Sequence, residues 1–277
     1  MNKYDLIIKF NSITIYFPYS LIMNIKTMVD LLLKRDLRNE LKKNRALRDL
    51  YKGKRCFIIG NGPSLKEQDL TLIKNEYTFV TNNFILHNSI NEIDPSFYCI
   101  VDPNMYTGKF PIERLRLMDE KLERTKFFFR YRAKSYVQDK RLFRDKEIHY
   151  IKNDSYLNDF YNFNMKLSGC IPGTVNVIHT CIMIAAYMGF EQIYLLGCDS
   201  TLFIPKPNHF YQITEEEIKS KMDLDEKLFY TSYMFKSYKI LSKIYAKKGI
   251  KIINATQGGV LEIFPRDEYE NIMEHRI

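Results

Sequence analysis

RCFIIGNGPSL, at residues 55–65, is the stretch that decides the fold. The nearly continuous apolar run at its start predicts a buried strand, and the Gly-Asn-Gly-Pro that follows predicts a tight turn. We predict further strands over 77–81, 97–101, 126–129, 192–196 and 250–253, and helices over 64–73, 112–122, 174–188 and 214–246. Buried strands that alternate with helices indicate an α/β fold around a mainly parallel sheet, with helices on both faces.

The residues before this strand differ in character. From Lys26 to Arg55 there are 11 basic and 4 acidic residues, and Leu33, Leu37 and Leu41 recur at helical spacing. This pattern predicts an amphipathic helix with a basic face, which either packs on the core or attaches to an anionic membrane surface. We therefore expect an N-terminal helical extension over 1–52 and one α/β domain over 53–277.

Composition limits the classes of protein. The 277 residues are 45% hydrophobic and 27% charged, which excludes a disordered chain, and the net charge of +9 suggests an anionic partner such as a nucleotide, nucleic acid or lipid headgroup. The five scattered cysteines include no C-x-x-C pair, so we expect a reducing compartment and no zinc site. Without a secretory signal or a membrane span in the sequence, we expect a cytoplasmic protein.

Ligands of open parallel sheets bind beyond the carboxyl ends of the strands, so the residues that follow each predicted strand are candidates. After the first strand, Gly60 and Gly62 would let backbone N–H groups reach a phosphate, and Ser64 would cap the next helix. The loop lacks the spacing of a standard dinucleotide or P-loop motif, and a plain turn is the alternative.

Four polar residues end the next strands. Asn82 and Asn83 suit the edge of a base or sugar, or simply form a turn. Asp102 would bind a metal or hydroxyls, or cap the turn before Pro103. Asp199 ends a buried strand and is the better placed acid.

Two later segments also attract attention. Pro172, Gly173 and Thr174 precede an apolar helix and would form an anion-binding helix start. His209 and Tyr211 lie on a rigid aromatic loop, where the histidine suits a general base and the tyrosine a phosphate contact. A lone loop histidine is also often a bystander. His179, inside the apolar helix, is expected to be a core residue.

These motifs resemble two related groups of proteins. GNGPSLK at 60–66, NNF at 82–84 and MGFEQIYLLGCD at 188–199 are similar to the bacterial sialyltransferases of glycosyltransferase family 42 and to the DUF115, or MptE-like, group. NATQGGVLEIFPR at 254–266 looks closer to the second group. The resemblance implies a Rossmann-like domain over 53–277 that binds a nucleotide sugar.

The resemblance also implies roles for particular residues. Asn61, Ser64 and Asn82 would contact the nucleotide, and Pro172-Gly173 would lie against it. His209 would deprotonate the acceptor hydroxyl. Thr201 stands where the sialyltransferases have a phosphate-binding tyrosine, so that contact would pass to Tyr211.

Three functions follow. The leading hypothesis is a glycosyltransferase of polysaccharide biosynthesis that moves sialic acid or another nonulosonic acid from a CMP-activated donor to a surface-glycan or lipid-linked acceptor, with no metal or other cofactor. Its further expected partners are an anionic membrane surface at the inner membrane face and a second copy of the chain, but not nucleic acid.

The alternative is an MptE-like 6-hydroxymethylpterin diphosphokinase that uses ATP, with Mg²⁺ held by Asp102 and Asp199. A module that binds nucleic acid or membrane through its basic surface alone is disfavoured, because such a module does not need polar, glycine-containing loops at several strand ends.

Overall fold

The computed structural model describes residue 6 and residues 10–157, 165–204, 209–212 and 222–274. In that part of the chain, eight strands form one parallel sheet in the order β6-β5-β4-β3-β2-β1-β7-β8. The strands are β1 (Arg55–Ile59), β2 (Tyr77–Thr81), β3 (Phe97–Ile100), β4 (Lys126–Arg130), β5 (Ile148–Tyr156), β6 (Cys170–Gly173), β7 (Gln192–Leu196) and β8 (Lys251–Asn254).

Helices cover both faces of this sheet. They are α1 (Phe17–Leu33), α2 (Arg35–Lys43), α3 (Ile90–Ile93), α4 (Asn104–Thr107), α5 (Ile112–Lys121), α6 (Lys134–Asp139), α7 (Val177–Tyr187), α8 (Leu224–Lys247) and α9 (Tyr269–Glu274). One apolar core joins the sheet to α7 and α8, and a second joins the other face to α5, α6 and α9. The predicted Rossmann-like α/β class is confirmed.

Two strands were missing from the prediction. β5 carries Lys152, Asn153 and Asp154 in place of an apolar run, and β6 reads CIPG, whose proline is tolerated at the edge of a sheet. Thr174 consequently does not begin the next helix. That helix, α7, begins at Val177, with Asn176 accepting a hydrogen bond from the Ile178 amide at 2.9 Å.

The helix expected over 64–73 is also wrong. The chain forms two short 3₁₀ turns, Pro63–Glu67 and Leu70–Ile73, separated by extended backbone at Gln68. Gly62 occupies the cap position of the first turn, so Ser64 is not a cap. The start expected for the last helix, at residue 214, lies outside the described residues; among the described residues α8 begins at Leu224.

The N-terminal extension is helical, as predicted, but it is not one helix. Lys34 adopts an extended conformation between α1 and α2. Leu37 and Leu41 are buried, whereas Leu33 is 77% exposed, so the expected leucine stripe is wrong at its first member. α1 packs beside β5.

The order of the strands determines where a ligand site lies. β1 pairs with β2 on one side and with β7 on the other, so the chain changes direction across the sheet at β1. The loops that leave the carboxyl ends of β1 and β7 diverge at such a point and leave a crevice between them.

Candidate functional site

The loop after β1 is fastened to the end of β7. The Gly60 amide donates to the Leu196 carbonyl at 2.8 Å, and the Gly62 amide donates to the Gly197 carbonyl at 2.9 Å. The Ser64 amide donates to Oδ1 of Asp199 at 3.3 Å. All three N–H groups have partners inside the protein, so these three amides are not available for the expected phosphate contact.

Asp199 is the centre of this attachment. Its Oδ2 accepts a 2.8 Å hydrogen bond from the Ser64 hydroxyl, and its side chain is buried. Burial raises the pKa of Asp199, and the hydrogen bonds from Ser64 oppose that shift. A Cβ on Gly62 would collide with Oδ2 of Asp199, which explains the glycine. Asp199 therefore holds the β1 loop in place.

Two asparagine side chains at the ends of β1 and β2 have unused acceptors. Asn61 donates to the Thr81 carbonyl at 3.0 Å, and its own Oδ1 is buried. Oδ1 of Asn82 is also buried, and neither oxygen has a hydrogen-bond partner among the described residues. Asn82 has a φ of 47°, and its carbonyl accepts a 2.7 Å hydrogen bond from the Tyr98 hydroxyl. Both oxygens are suited to accept from a ligand.

The segment from His209 to Tyr211 packs on the same loops. The Phe210 amide donates to the Asn61 carbonyl at 3.0 Å. The rings of His209 and Tyr211 stack with centroids 4.9 Å apart and an interplanar angle of 4°. The amide nitrogen of Asn83 donates to the Tyr211 hydroxyl at 2.8 Å. The structure thus brings His209 and Tyr211 together with Asn61 and Asn83, which lie more than a hundred residues earlier.

Arg114 is a site residue that sequence reasoning missed. It projects from α5 and donates to Oδ1 of Asn83 at 2.7 Å, and its guanidinium carbon lies 5.9 Å from the centroid of the Tyr211 ring. An arginine in the middle of a surface helix carries no sequence signal of its own, because only the packing of α5 on the loop after β2 creates these contacts. It supplies a cation beside the stacked rings.

His87 is a second such residue. Its ring stacks on Phe84 at 5.1 Å and meets Phe210 edge-on at 4.9 Å, and burial lowers its pKa. Through Phe210, these aromatic contacts help to hold the segment from His209 to Tyr211 in place.

Other predicted site residues lie elsewhere. Oδ1 of Asp102 accepts from the Asn104 amide at 2.9 Å, as in the turn-capping alternative. β3 is three strands from β7, which places the strand ends before Asp102 and Asp199 about 14 Å apart. The spacing of these strand ends and the separate hydrogen bonds of the two acids argue against a metal-binding pair. The described residues include no group of three or more metal-ligating side chains.

In the part of the chain that the structure describes, four more of the predicted site residues form no hydrogen bond to the loop after β1 or to Asp199. Pro172 and Gly173 belong to β6, the edge strand, where they pair with β5. Thr174 donates its hydroxyl to the Asn176 carbonyl at 2.9 Å. Thr201 begins a turn, and its carbonyl accepts a hydrogen bond from the Ile204 amide at 2.9 Å. Within the described ranges, no hydrogen bond joins these four residues to Asp199 or Asn61.

The loop after β8 closes the other side of the crevice. The Thr256 hydroxyl accepts from the Cys198 amide at 3.0 Å, and the Val260 amide donates to the Asp199 carbonyl at 2.9 Å. A cavity of about 310 Å³ lies at the end of this strand, lined in part by Gln68 and Gln257.

The fold and this crevice define a Rossmann-like α/β protein with a polar site at the switch point of its sheet. Residues 19–202 match the family model described as "6-hydroxymethylpterin diphosphokinase MptE-like", and the chain belongs to that family. No curated protein sequence matches the chain significantly.

Among solved structures, the chain is similar to the MAf glycosyltransferase from Magnetospirillum magneticum AMB-1, with a TM-score of 0.51 and 16% identity. The alignment covers 87% of this chain and 39% of that one, so the chain spans well under half of its structural relative. At this level of identity the similarity concerns the fold.

Proposed function

We propose that this protein is a glycosyltransferase that moves a sugar, sialic acid or another nonulosonic acid, from a CMP-activated donor to a surface-glycan acceptor. The observation that carries the proposal is the stacked pair of His209 and Tyr211, fixed by Asn61 and Asn83 at the carboxyl ends of β1 and β2. The glycosyltransferase that shares the fold supports it as an analogy.

Uncharged groups would recognise the nucleoside. Oδ1 of Asn61 and Oδ1 of Asn82 are buried acceptors that a bound ligand must supply with donors. The exocyclic amine of cytosine and the ribose hydroxyls are donors of this kind. Inorganic phosphate is mainly a hydrogen-bond acceptor, so two buried acceptor oxygens favour a nucleoside over an inorganic anion.

Arg114 and Tyr211 would stabilise the departing phosphate. Because the loop amides at Gly60, Gly62 and Ser64 are bonded to the end of β7, we expect side chains to stabilise the negative charge of the phosphate. A fixed guanidinium placed where negative charge develops lowers the barrier more than one that must first reorient. Asn83 holds Arg114 and Tyr211 together, and Asp199 acts as a positioning residue for the loop.

His209 would be the general base. The acceptor oxygen attacks the anomeric carbon, and its proton passes to His209. The bond between that carbon and the phosphate oxygen breaks, and its electron pair leaves with CMP. Proton removal by a positioned histidine contributes roughly 10²–10⁴ in rate.

The pterin diphosphokinase named by the family model is the second candidate. That chemistry needs Mg²⁺ near the phosphates. Asp102 and Asp199 do not provide the expected carboxylate pair, since they end strands three apart in the sheet and Asp199 accepts two hydrogen bonds from Ser64.

The test is release of CMP from CMP-sialic acid, measured with and without Mg²⁺ and with candidate glycan acceptors. We expect turnover without the metal and at least a roughly 10²-fold loss in His209→Ala. Arg116→Gln, an exposed change on α5, is the matched control and should keep full activity. Turnover of ATP and a hydroxymethylpterin, with none of the CMP-sugar, would contradict the proposal.

A further inference from the structure

Helix α1 has its apolar side turned away from the protein. Its buried residues are Ser20, Met23 and Thr27. The large apolar side chains on the opposite side are 46–77% exposed, namely Leu21, Ile22, Ile25, Met28, Val29, Leu32 and Leu33. An apolar stripe this long on a surface helix marks an interaction site.

A polar cavity of about 420 Å³ lies along one flank of the same helix. Lys26 and Asp30 of α1 line it, together with Lys34, which directly follows the helix. Arg130, at the carboxyl end of β4, and Lys152 and Asn153, in the middle of β5, also line it. Because Val29 lies three residues from Lys26 and Leu33 three residues from Asp30, the apolar stripe and the cavity are adjacent on the helix.

Asn153 is the main sign that the cavity binds a ligand. Its side chain is only 3% exposed, yet neither its nitrogen nor its oxygen has a hydrogen-bond partner among the described residues. Nε of Arg130 is also buried and unpartnered in that part of the chain. These groups supply N–H donors to a ligand in the cavity.

The charge of the cavity favours an anion. Lys152 lies 2.7 Å from Asp154 and 3.5 Å from Asp30, and Lys34 lies 2.7 Å from Asp30. The lining contains six basic side chains and three acidic ones, so the acids are matched and a positive excess remains. Phosphate, with several acceptor oxygens, fits such a set of donors.

We propose that α1 lies on a membrane surface through this apolar stripe and that the adjacent cavity binds the phosphate of a lipid headgroup. Within the described residues no helix has the length and hydropathy needed to cross a membrane, so the contact is with the surface. An acyl chain beside the stripe and a phosphate in the cavity can belong to one lipid. The proposal does not depend on the chemistry at His209, since vesicle binding needs no turnover.

The first experiment is co-sedimentation of the full chain with vesicles of phosphatidylcholine, with and without phosphatidic acid. We expect binding that is stronger with phosphatidic acid and that falls at least about 10-fold in Leu32→Glu. Leu50→Glu changes a leucine that is 55% exposed outside the helix, and it should bind like the wild type. Circular dichroism checks that each variant is folded.

The second experiment separates the cavity from the stripe. Asn153→Ala removes no described hydrogen bond, so we expect a folded variant that still binds phosphatidylcholine but loses the preference for phosphatidic acid.

Failure of the wild type to bind either vesicle, or equal binding by Leu32→Glu, would overturn the proposal. If light scattering shows a dimer that Leu32→Glu dissociates, the apolar stripe binds a second copy of the chain and the membrane proposal is wrong. A thermal shift with inorganic phosphate but no vesicle binding would point to a soluble phosphate ligand.

Discussion

At the scale of single residues, one buried carboxylate determines the shape of the site. Asp199 accepts two hydrogen bonds from Ser64 and lies where Gly62 has no side chain. Its role is therefore to hold the loop after β1 against the end of β7. The chemistry that we propose falls to the neighbouring His209, Tyr211 and Arg114.

The protonation of Asp199 gives a prediction about pH. Burial raises its pKa above the ordinary 3.8, so the folded state binds the proton more tightly than the unfolded chain does. This contribution to stability is complete below about pH 4 and is lost as the pH rises through the raised pKa. We expect the Tm of the wild type minus the Tm of Asp199→Asn to be largest in acid and to decrease toward neutral pH. The control, Asp225→Asn, changes an exposed residue, and a Tm difference for Asp199→Asn that is flat with pH would contradict the assignment.

A second prediction concerns Arg114. Removing a preorganised charge from a developing anion costs roughly 10²-fold in rate, so Arg114→Gln should lower kcat/KM for the donor by about that factor. Arg116→Gln serves as the matched control on the same helix. Equal activity in the two variants would show that Arg114 has no part in catalysis.

At the scale of elements, the contact between the β1 loop and β7 can be tested sterically. Gly62→Ala places a Cβ on Asp199, and we expect a loss of about 1–3 kcal/mol in the free energy of unfolding. Gly169→Ala is the control, because its nearest new contact is an ordinary 3.6 Å. Denaturant titration measures both, and equal small effects would mean that the loop is not held as described.

The packing of α7 on α8 predicts sensitivity to acid. His179 is fully buried, as expected from the sequence, its ring lies 4.0 Å from that of Tyr238, and burial lowers its pKa to about 3. Since the unfolded residue takes up a proton below about pH 6.5, stability is lost as the pH falls from there toward 3. We expect about 2–3 kcal/mol of loss by pH 4.5 in the wild type that is absent from His179→Leu. Parallel pH profiles in the two proteins would contradict this.

The strands show which parts of the fold could be predicted from the sequence alone. β1, β2 and β7 have the bounds that their apolar runs predicted. β5 and β6 lie toward one end of the sheet, and their polar and proline-containing sequences carry no such run. The amide groups after β1 were expected to face a phosphate, but their partners lie at the end of β7 and in the loop that follows it, more than a hundred residues later. Arg114 was missed for the same reason, since its contacts are tertiary.

At the scale of the whole molecule, the parallel sheet assembles the carboxyl ends of its strands on one edge. The switch point between β1 and β7 carries the proposed nucleotide site, and the end of β4 and the middle of β5 line the cavity beside α1. We propose that residues 1–52 form the membrane-facing extension and residues 53–277 the catalytic domain. A substitution in the nucleotide site should then leave lipid binding unchanged, and a substitution in the lipid site should leave nucleotide binding unchanged.

Calorimetric titration with CMP tests directly whether a nucleotide binds at the ends of β1 and β2. We predict binding of CMP without Mg²⁺, weakened at least about 10-fold in Asn82→Ala and in Arg114→Gln, because the nucleoside loses a buried acceptor in the first variant and the phosphate loses a cation in the second. Asn153→Ala, in the other site, should bind CMP like the wild type. No heat with CMP, together with binding of ATP only in the presence of Mg²⁺, would show that this site does not bind CMP and would favour the diphosphokinase.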